Sequence, residues 1–412
     1  MKTIRLSVGY GDSPILPRVE LELRPGEFTV VIGPNASGKT TLLKTLAGIL
    51  NPMGGAVVIS GSELHRIRPG RRARLVGMVQ TGRPDVAGMT VEEVVALGRY
   101  PWTGPVHMLS PYDRKIVEDA MKKTAIECLR DREVSELSDG QFQRVMIARA
   151  LAQQPKTLIL DEPTTHLDSR SRIEVFTLLR ELARREGLIV IASTHEIELA
   201  FRFADRLIAI TEKTLLSVDD PEEILTDERF LETFGFNHVL HLSPITLSVE
   251  YRGGEISPGR RVFIIAGSGT GARLYRTLTK VGFRISTGIL HENDVDYFVA
   301  RGLGLEVIPE KAYNPIGDFS YHLAKEALLG SDYVVFTNPP IGEMNVKNLT
   351  LLRDAVENDI PVFALDNLKE ISVKGVEPVT STRQLLEKIG TKNIKRGIRP
   401  PSITRLGSLK ER

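Results

Sequence analysis

Two stretches of the chain alternate short, β-branched apolar runs with segments of helical apolar spacing, and a polar interval separates them. In the first stretch, residues 27–32 form a β-branched run that ends at glycine, and residues 75–79, 157–160 and 188–192 are further short apolar runs, the pattern of buried strands. Residues 40–50 have the i, i+3, i+4 spacing of a helix, and residues 90–135 are mostly helical. That helical part is interrupted at Gly98-Arg99-Tyr100-Pro101-Trp102-Thr103-Gly104-Pro105. The second stretch has strand runs at 262–266, 284–290, 305–309, 333–337 and 362–365, with helical patterns at 272–281 and 348–357. This order predicts a small parallel α/β domain. The expected division is 1–245, then 258–372 opened by the turn Ser257-Pro258-Gly259, then a C-terminal segment 373–412. From about residue 391 the segment is basic and carries Pro400-Pro401, which predicts a flexible, solvated tail. There is no internal repeat.

Composition narrows the partners. At 412 residues the chain is too long for one ordinary domain. Lys plus Arg number 54 and Asp plus Glu 52, so no basic excess drives binding to nucleic acid. Cys128 is the single cysteine and has no internal partner, which fits a reducing compartment. The opening residues Met1 to Leu6 run into glycine, tyrosine and aspartate, so no signal peptide is expected. No run of about 18 apolar residues occurs, so a membrane role has to come through a partner.

The chemistry concentrates in the first stretch. Gly33-Pro34-Asn35-Ala36-Ser37-Gly38-Lys39-Thr40 fits G-x-x-x-x-G-K-[ST] between a predicted strand and a predicted helix. Small residues there let backbone N–H groups close on phosphate oxygens at a helix N-terminus. Lys39 would reach the β- and γ-phosphates and Thr40 would ligate magnesium. The strand run 157–160 delivers Asp161 and Glu162 at its end, a magnesium carboxylate followed by a base for the attacking water. Leu137-Ser138-Asp139-Gly140-Gln141 opens a helix about 20 residues earlier, and Ser138 or Asp139 would also serve as its N-cap.

With that pentapeptide the chain resembles the ATP-binding cassette (ABC) transporter ATPases. The family signature is usually L-S-G-G-Q, and Asp139 departs from it. The resemblance implies a cassette made of a RecA-like core, an antiparallel β-subdomain and a helical subdomain, followed here by the small Rossmann-like parallel α/β domain. It implies adenine stacking on Tyr10, nucleotide contacts from Gly33 through Thr41, and a Q-loop glutamine at Gln80 touching magnesium or water. It further implies a D-loop at Asp168, a switch histidine at His195, and Thr40, Gln80 and Asp161 around Mg²⁺. ATP would lie between one chain's Gly33–Thr41 loop and Ser138, Asp139, Gly140 and Gln141 of a second copy. The implied assembly is a homodimer at the cytoplasmic membrane face, bound to two membrane permease subunits and served indirectly by a substrate-binding protein. Residues 90–101 and 141–153 resemble the matching regions of iron-siderophore, haem and cobalamin importer ATPases, with cobalamin or another corrinoid the favoured cargo. An ABC ATPase with a non-transport role is the alternative, though neither long coiled-coil insertions nor a second cassette is present.

The second domain resembles an extension carried by some archaeal cobalamin-import ATPases. Its Gly267-Ser268-Gly269-Thr270-Gly271-Ala272 fits G-x-G-x-x-[GA], but the next strand run holds Ser286-Thr287-Gly288 and no acid. Glu292 and Asp294 come only later. A structural glycine turn and a site for another phosphate-bearing ligand both stay open. Asp294, Asp296, Asn314 and Asn338-Pro339-Pro340 either line a pocket at the strand ends or serve as caps and turns. Regulation of the ATPase by a ligand of this domain is a further expectation.

Overall fold

The computed structural model describes residues 1–82, 84, 86, 88–103, 108–211, 214–236, 240–242, 249–251, 260–365 and 374–389. The expected boundary turn at 257–259 and the expected basic tail lie outside them. The chain divides into two compact units, Met1–Asn237 with Leu247–Val249 and His238–Thr246 with Glu250–Arg412.

In chain order the first unit contains β1 (Lys2–Tyr10), β2 (Ser13–Val19), β3 (Phe28–Ile32), α1 (Lys39–Leu46), β4 (Gly54–Ile59), β5 (Ser62–Glu63), α2 (Pro69–Ala73) and β6 (Val76–Val79). Then follow α3 (Val91–Ala96), α4 (Tyr100–Thr103), α5 (Pro111–Lys123), α6 (Asp139–Ala152), β7 (Thr157–Leu160), α7 (Ser169–Glu186), β8 (Ile189–Ser193), α8 (Ile197–Phe203), β9 (Arg206–Thr211), β10 (Thr214–Val218) and α9 (Glu228–Thr233). The short strands β11 (Leu240–Leu242) and β12 (Val249–Tyr251) pair with each other.

The apolar runs become the centre of a sheet ordered β10-β9-β3-β8-β7-β6. Every residue of β3, β7 and β8 is buried, because helices cover both faces of a parallel sheet. All pairings in the sheet are parallel except β10 with β9. A separate sheet, β2-β1-β4-β5, is antiparallel, and Leu6, Val8 and Val57 from it share a core with Leu42 and Leu46 of α1. α1 stops at Leu46, short of the expected residue 50, because Gly48 turns left-handed (φ 73°) just past the helix.

The interruption at residues 98–103 is a packing device. Gly98 has no room for a side chain, since an added Cβ would meet the Arg149 carbonyl oxygen of α6 at 2.1 Å. Next to it Arg99 is buried, with Nε 2.9 Å from Asp113 Oδ1 and Nη1 2.8 Å from the Ala152 carbonyl. The Arg74 and Arg99 guanidinium groups lie 4.4 and 5.0 Å from the centroid of the Trp102 ring, which donates its indole N–H to the Gln153 carbonyl. These contacts hold α3 and α5 to the C-terminal end of α6.

The second unit contains β13 (Arg261–Ile265), α10 (Ala272–Lys280), β14 (Arg284–His291), α11 (Val295–Gly302), β15 (Glu306–Glu310), α12 (Asp318–Leu329), β16 (Tyr333–Phe336), α13 (Lys347–Glu357), β17 (Val362–Leu365), β18 (Val376–Val379) and α14 (Thr382–Lys388). Its sheet, β15-β14-β13-β16-β17-β18, is parallel in every pairing. The strand order reverses between β13 and β16, where α/β sheets open a crevice. The sheet continues beyond the expected limit at residue 372 into β18. That strand is four residues long, sits at the sheet edge and carries Glu377 and Pro378, so it lacks the apolar run of a central strand.

Candidate functional site

Four adjacent strands of the first sheet, β3, β8, β7 and β6, end side by side, and each end carries a sequence-predicted residue. Neighbouring strands lie about 4.8 Å apart, so the row puts these ends within reach of one bound molecule. After β3 the chain turns through Gly33–Gly38, with Ala36 (φ 63°) and Gly38 (φ 103°) left-handed. A Cβ at Gly33 would meet Ser37 Oγ at 2.6 Å, and one at Gly38 would meet Ile15 Cγ2 at 2.7 Å. Only glycine fits both points. Lys39 is buried at the start of α1, and its Nζ donates to the Gly33 and Pro34 carbonyls at 2.8 and 3.0 Å. Burial lowers its pKa, while the charges of Glu162 and Asp161 oppose that shift. Ser37 Oγ is buried without a hydrogen-bond partner, as expected of a group waiting for a polar ligand. Thr40 is exposed and Thr41 buried.

After β7, Asp161 is buried and Glu162 adopts a left-handed backbone (φ 47°), a costly state for a residue with a side chain. Ser193, the last residue of β8, holds this turn. Its hydroxyl donates to Asp161 Oδ1 at 2.8 Å and accepts the Glu162 N–H at 2.9 Å. The role of Ser193 was missed from sequence; the available signal was a hydroxyl closing an otherwise apolar strand run. Thr165 Oγ1 donates to Glu162 Oε2 at 3.2 Å, and His195 Nδ1 stands 3.9 Å from the same oxygen. Gln80 follows β6, exposed, and Asp161 donates its N–H to Val79 beside it. Tyr10 ends β1 with its ring exposed.

The predicted signature residues lie on another segment, the first turn of α6, and the predicted D-loop residue Asp168 caps α7. Ser138 caps α6 in a reciprocal box: the Gln141 N–H donates to Ser138 Oγ and the Ser138 N–H donates to Gln141 Oε1. Asp139 is exposed. Gly140 is required by close packing, because an added Cβ would lie 2.9 Å from Ser171 Oγ. Asp168 caps α7 and accepts that same Ser171 hydroxyl at 2.8 Å, together with the Arg170 and Ser171 N–H groups. These bonds, first the Ser171 N–H, hold its carboxyl below the usual range. A cavity of about 270 Å³ opens beside this turn, lined by Ser138, Gly140, Gln141, Arg144 and Cys128.

The donor set suits a magnesium-bound triphosphate. Gly33 and Gly38 leave little room for a side chain, Lys39 supplies a cation, Ser37 an unsatisfied hydroxyl, and Thr40, Gln80 and Asp161 the oxygen donors that magnesium prefers.

In the second unit the glycine loop is already filled. The Ser268 N–H donates to both Asp294 oxygens, at 3.0 and 2.9 Å, and the Gly271 N–H donates to Asp296 Oδ2 at 2.9 Å. Two carboxylates take loop amides that a pyrophosphate would need, so a dinucleotide does not fit this conformation. Asp294 also caps α11, and the Asn314 carbonyl pairs with His291 Nε2. Asn338 is left-handed and exposed, and Pro339 packs against Gly267. Burial pushes the Asp296 carboxyl above its ordinary range, with the Asp294 charge adding to the rise and the Gly271 N–H opposing it. The folded state therefore binds this proton more tightly than the unfolded chain does. The unit is most stable with Asp296 protonated and loses stability as pH rises from about 4 through the raised value. Asp296→Asn is expected to flatten that fall; urea unfolding at pH 4.5 and 7.5, followed by far-UV circular dichroism, measures it.

Residues 16–165 match the family model described as ABC transporter, and residues 285–396 match a separate model, the MJ0874 family. The chain is 38% identical to an uncharacterized ABC transporter ATP-binding protein, MJ0873 of Methanocaldococcus jannaschii, over 70% of this chain and 99% of that one. It is 37% identical to the probable siderophore transport system ATP-binding protein YusV of Bacillus subtilis, over 60% and 89% of the two chains. It is 30% identical to the cobalamin import ATP-binding protein BtuD of Halobacterium salinarum, over 73% and 76%. Among solved structures, an inward-facing putative metal-chelate type ABC transporter superposes with a TM-score of 0.50 at 26% identity, over 57% of this chain and 88% of that one.

Proposed function

Because the chain belongs to the ATP-binding proteins of ABC transporters and is an ATPase of that family, we propose that it powers an importer for a metal chelate or corrinoid. The observation that carries the nucleotide reading is the row of strand ends: phosphate loop, Ser193–His195, Asp161–Glu162 and Gln80 on four neighbouring strands. In this reading Gly33–Thr41 wrap the phosphates and Tyr10 stacks on adenine. Thr40, Asp161 and Gln80 hold magnesium, which when bound neutralises charge developing on the phosphate oxygens. Glu162 orients and deprotonates the attacking water, and His195 contacts the γ-phosphate.

Ser138, Asp139, Gly140 and Gln141 lie on another segment, where Gly140 packs against Ser171. They complete the site of a second copy, and that copy's turn completes this one, which calls for a two-fold homodimer. ATP then favours the closed pair and hydrolysis releases it. Among the described residues no helix is long and apolar enough to cross a membrane. Two permease subunits supply that path, engaged beside Gln80 and the helical segment after it at the cytoplasmic face, and a substrate-binding protein delivers the cargo to them.

A corrinoid is the favoured cargo. The match to the cobalamin import protein runs over 303 residues, against 245 for the siderophore protein. Uptake by the chain reconstituted with its permeases, tested on iron chelates, haem and corrinoids, decides this; uptake of none of them overturns the importer reading. Lys39→Ala should weaken ATP binding about 10- to 100-fold, the loss of one or more charge-assisted hydrogen bonds. Titration calorimetry of the full chain checks it, and unchanged affinity would contradict the phosphate role of Lys39.

A further inference from the structure

Five large apolar side chains stand exposed on one face of the second unit: Tyr313, Phe319, Leu323, Met344 and Val346. Tyr313 and Phe319 are 80% and 78% exposed, where aromatic rings usually bury most of their surface. The fold gathers them. The Ile316 N–H donates to the Met344 carbonyl at 3.0 Å, joining the two loops that carry Tyr313 and Met344. Lys347 Nζ and Asp318 Oδ1 pair at 2.7 Å, joining the first turns of α12 and α13. Phe319 and Leu323 lie one turn apart on α12. The rest of that helix is used elsewhere: Ala324 and Leu328 enter the core, and Tyr321 bonds to Asp354 of α13. The Phe319 ring and part of Leu323 are therefore left outside the packing of their own unit.

The charges within the patch indicate what covers it. Asp318 and Lys347 sit side by side among the apolar groups, one acid with one base. Such a pair selects no strongly acidic or basic partner, but it matches its own image across a two-fold axis, where Asp318 of one copy faces Lys347 of the other. Five side chains amount to a patch of roughly a few hundred Å². That is short of the ~800 Å² per partner of a stable free-standing interface. The contact is weak alone and gains strength between two copies already held in one assembly, where the second association becomes intramolecular.

We propose that this face of the second unit docks on the same face of a second copy of the chain. The tethering step rests on the homodimer reading above; the surface itself does not. Sedimentation of the full chain carrying Glu162→Gln, with and without ATP, tests both. Phe319→Glu and Lys347→Glu should each weaken ATP-dependent dimerisation about tenfold or more, and the double swap Asp318→Lys with Lys347→Glu should restore it. A foreign partner of fixed charge would not be restored by the swap. Dimerisation unaffected by Phe319→Glu, or a swap that recovers nothing, overturns the proposal and leaves the cassette reading standing. If the parent shows no ATP-dependent association, the homodimer reading fails, and the surface is then read without nucleotide at high protein concentration. There, weak self-association abolished by Phe319→Glu supports the docking face, and a strictly monomeric parent overturns it.

Discussion

Glu162→Gln is expected to abolish steady-state ATP hydrolysis while leaving ATP binding intact, so that nucleotide accumulates the closed dimer. The carboxylate is held in place before any substrate arrives: its backbone is left-handed, its N–H is fixed by Ser193, and Oε2 accepts from Thr165. Glutamine preserves size, backbone and the accepting oxygen but cannot take a proton from water. A positioned base contributes about 10²- to 10⁴-fold in rate, so turnover should fall at least a hundredfold. Phosphate release and sedimentation with ATP measure the two halves of the prediction. Turnover at the parent rate would remove Glu162 from the chemistry.

The second large effect concerns stability. Arg99→Met should destabilise the first unit by about 3–5 kcal/mol, because it breaks one side of a buried ion pair and leaves the other uncompensated. Asp113 would keep the Ser110 hydroxyl and N–H, while the Ala152 carbonyl and the Gln154 side chain would lose their Arg99 donor. Those Ser110 bonds, ahead of the Arg99 charge, already hold the Asp113 carboxyl below its ordinary range. Its contribution is thus present above the unfolded value near 4 and is lost as pH falls through the lower folded one. Denaturant unfolding followed by Trp102 fluorescence measures both effects, since the Arg99 guanidinium lies over the Trp102 ring. A change below 1 kcal/mol would show that the pair is dispensable.

Much of the architecture could be read in the chain because it is written locally. The runs at 157–160 and 362–365 matched their strands to the residue, and 284–290 fell one residue short of β14. Short, largely apolar runs of this kind suit strands buried in a parallel sheet. Edges were less legible: β18 is short and polar, and its strand identity comes from pairing with β17. α12 was also missed, since its exposed Phe319 and Leu323 blur the apolar spacing of its buried face.

Local sequence was enough to place the Gly33–Gly38 turn between a strand and a helix, Asp161-Glu162 at a strand end and Ser138 at a helix cap, because each placement depends on neighbours within a few residues. Tertiary structure alone decided which residues meet across the chain. Ser193 reaches Asp161 and Glu162 from 32 and 31 positions away, and the close packing at Gly140 comes from Ser171 of another helix. Asp294 and Asp296 fill a glycine loop that, read as a motif, looked open to phosphate. Short-range patterns encode backbone geometry; hydrogen bonds and close approaches between distant segments exist only once the sheets have brought them together.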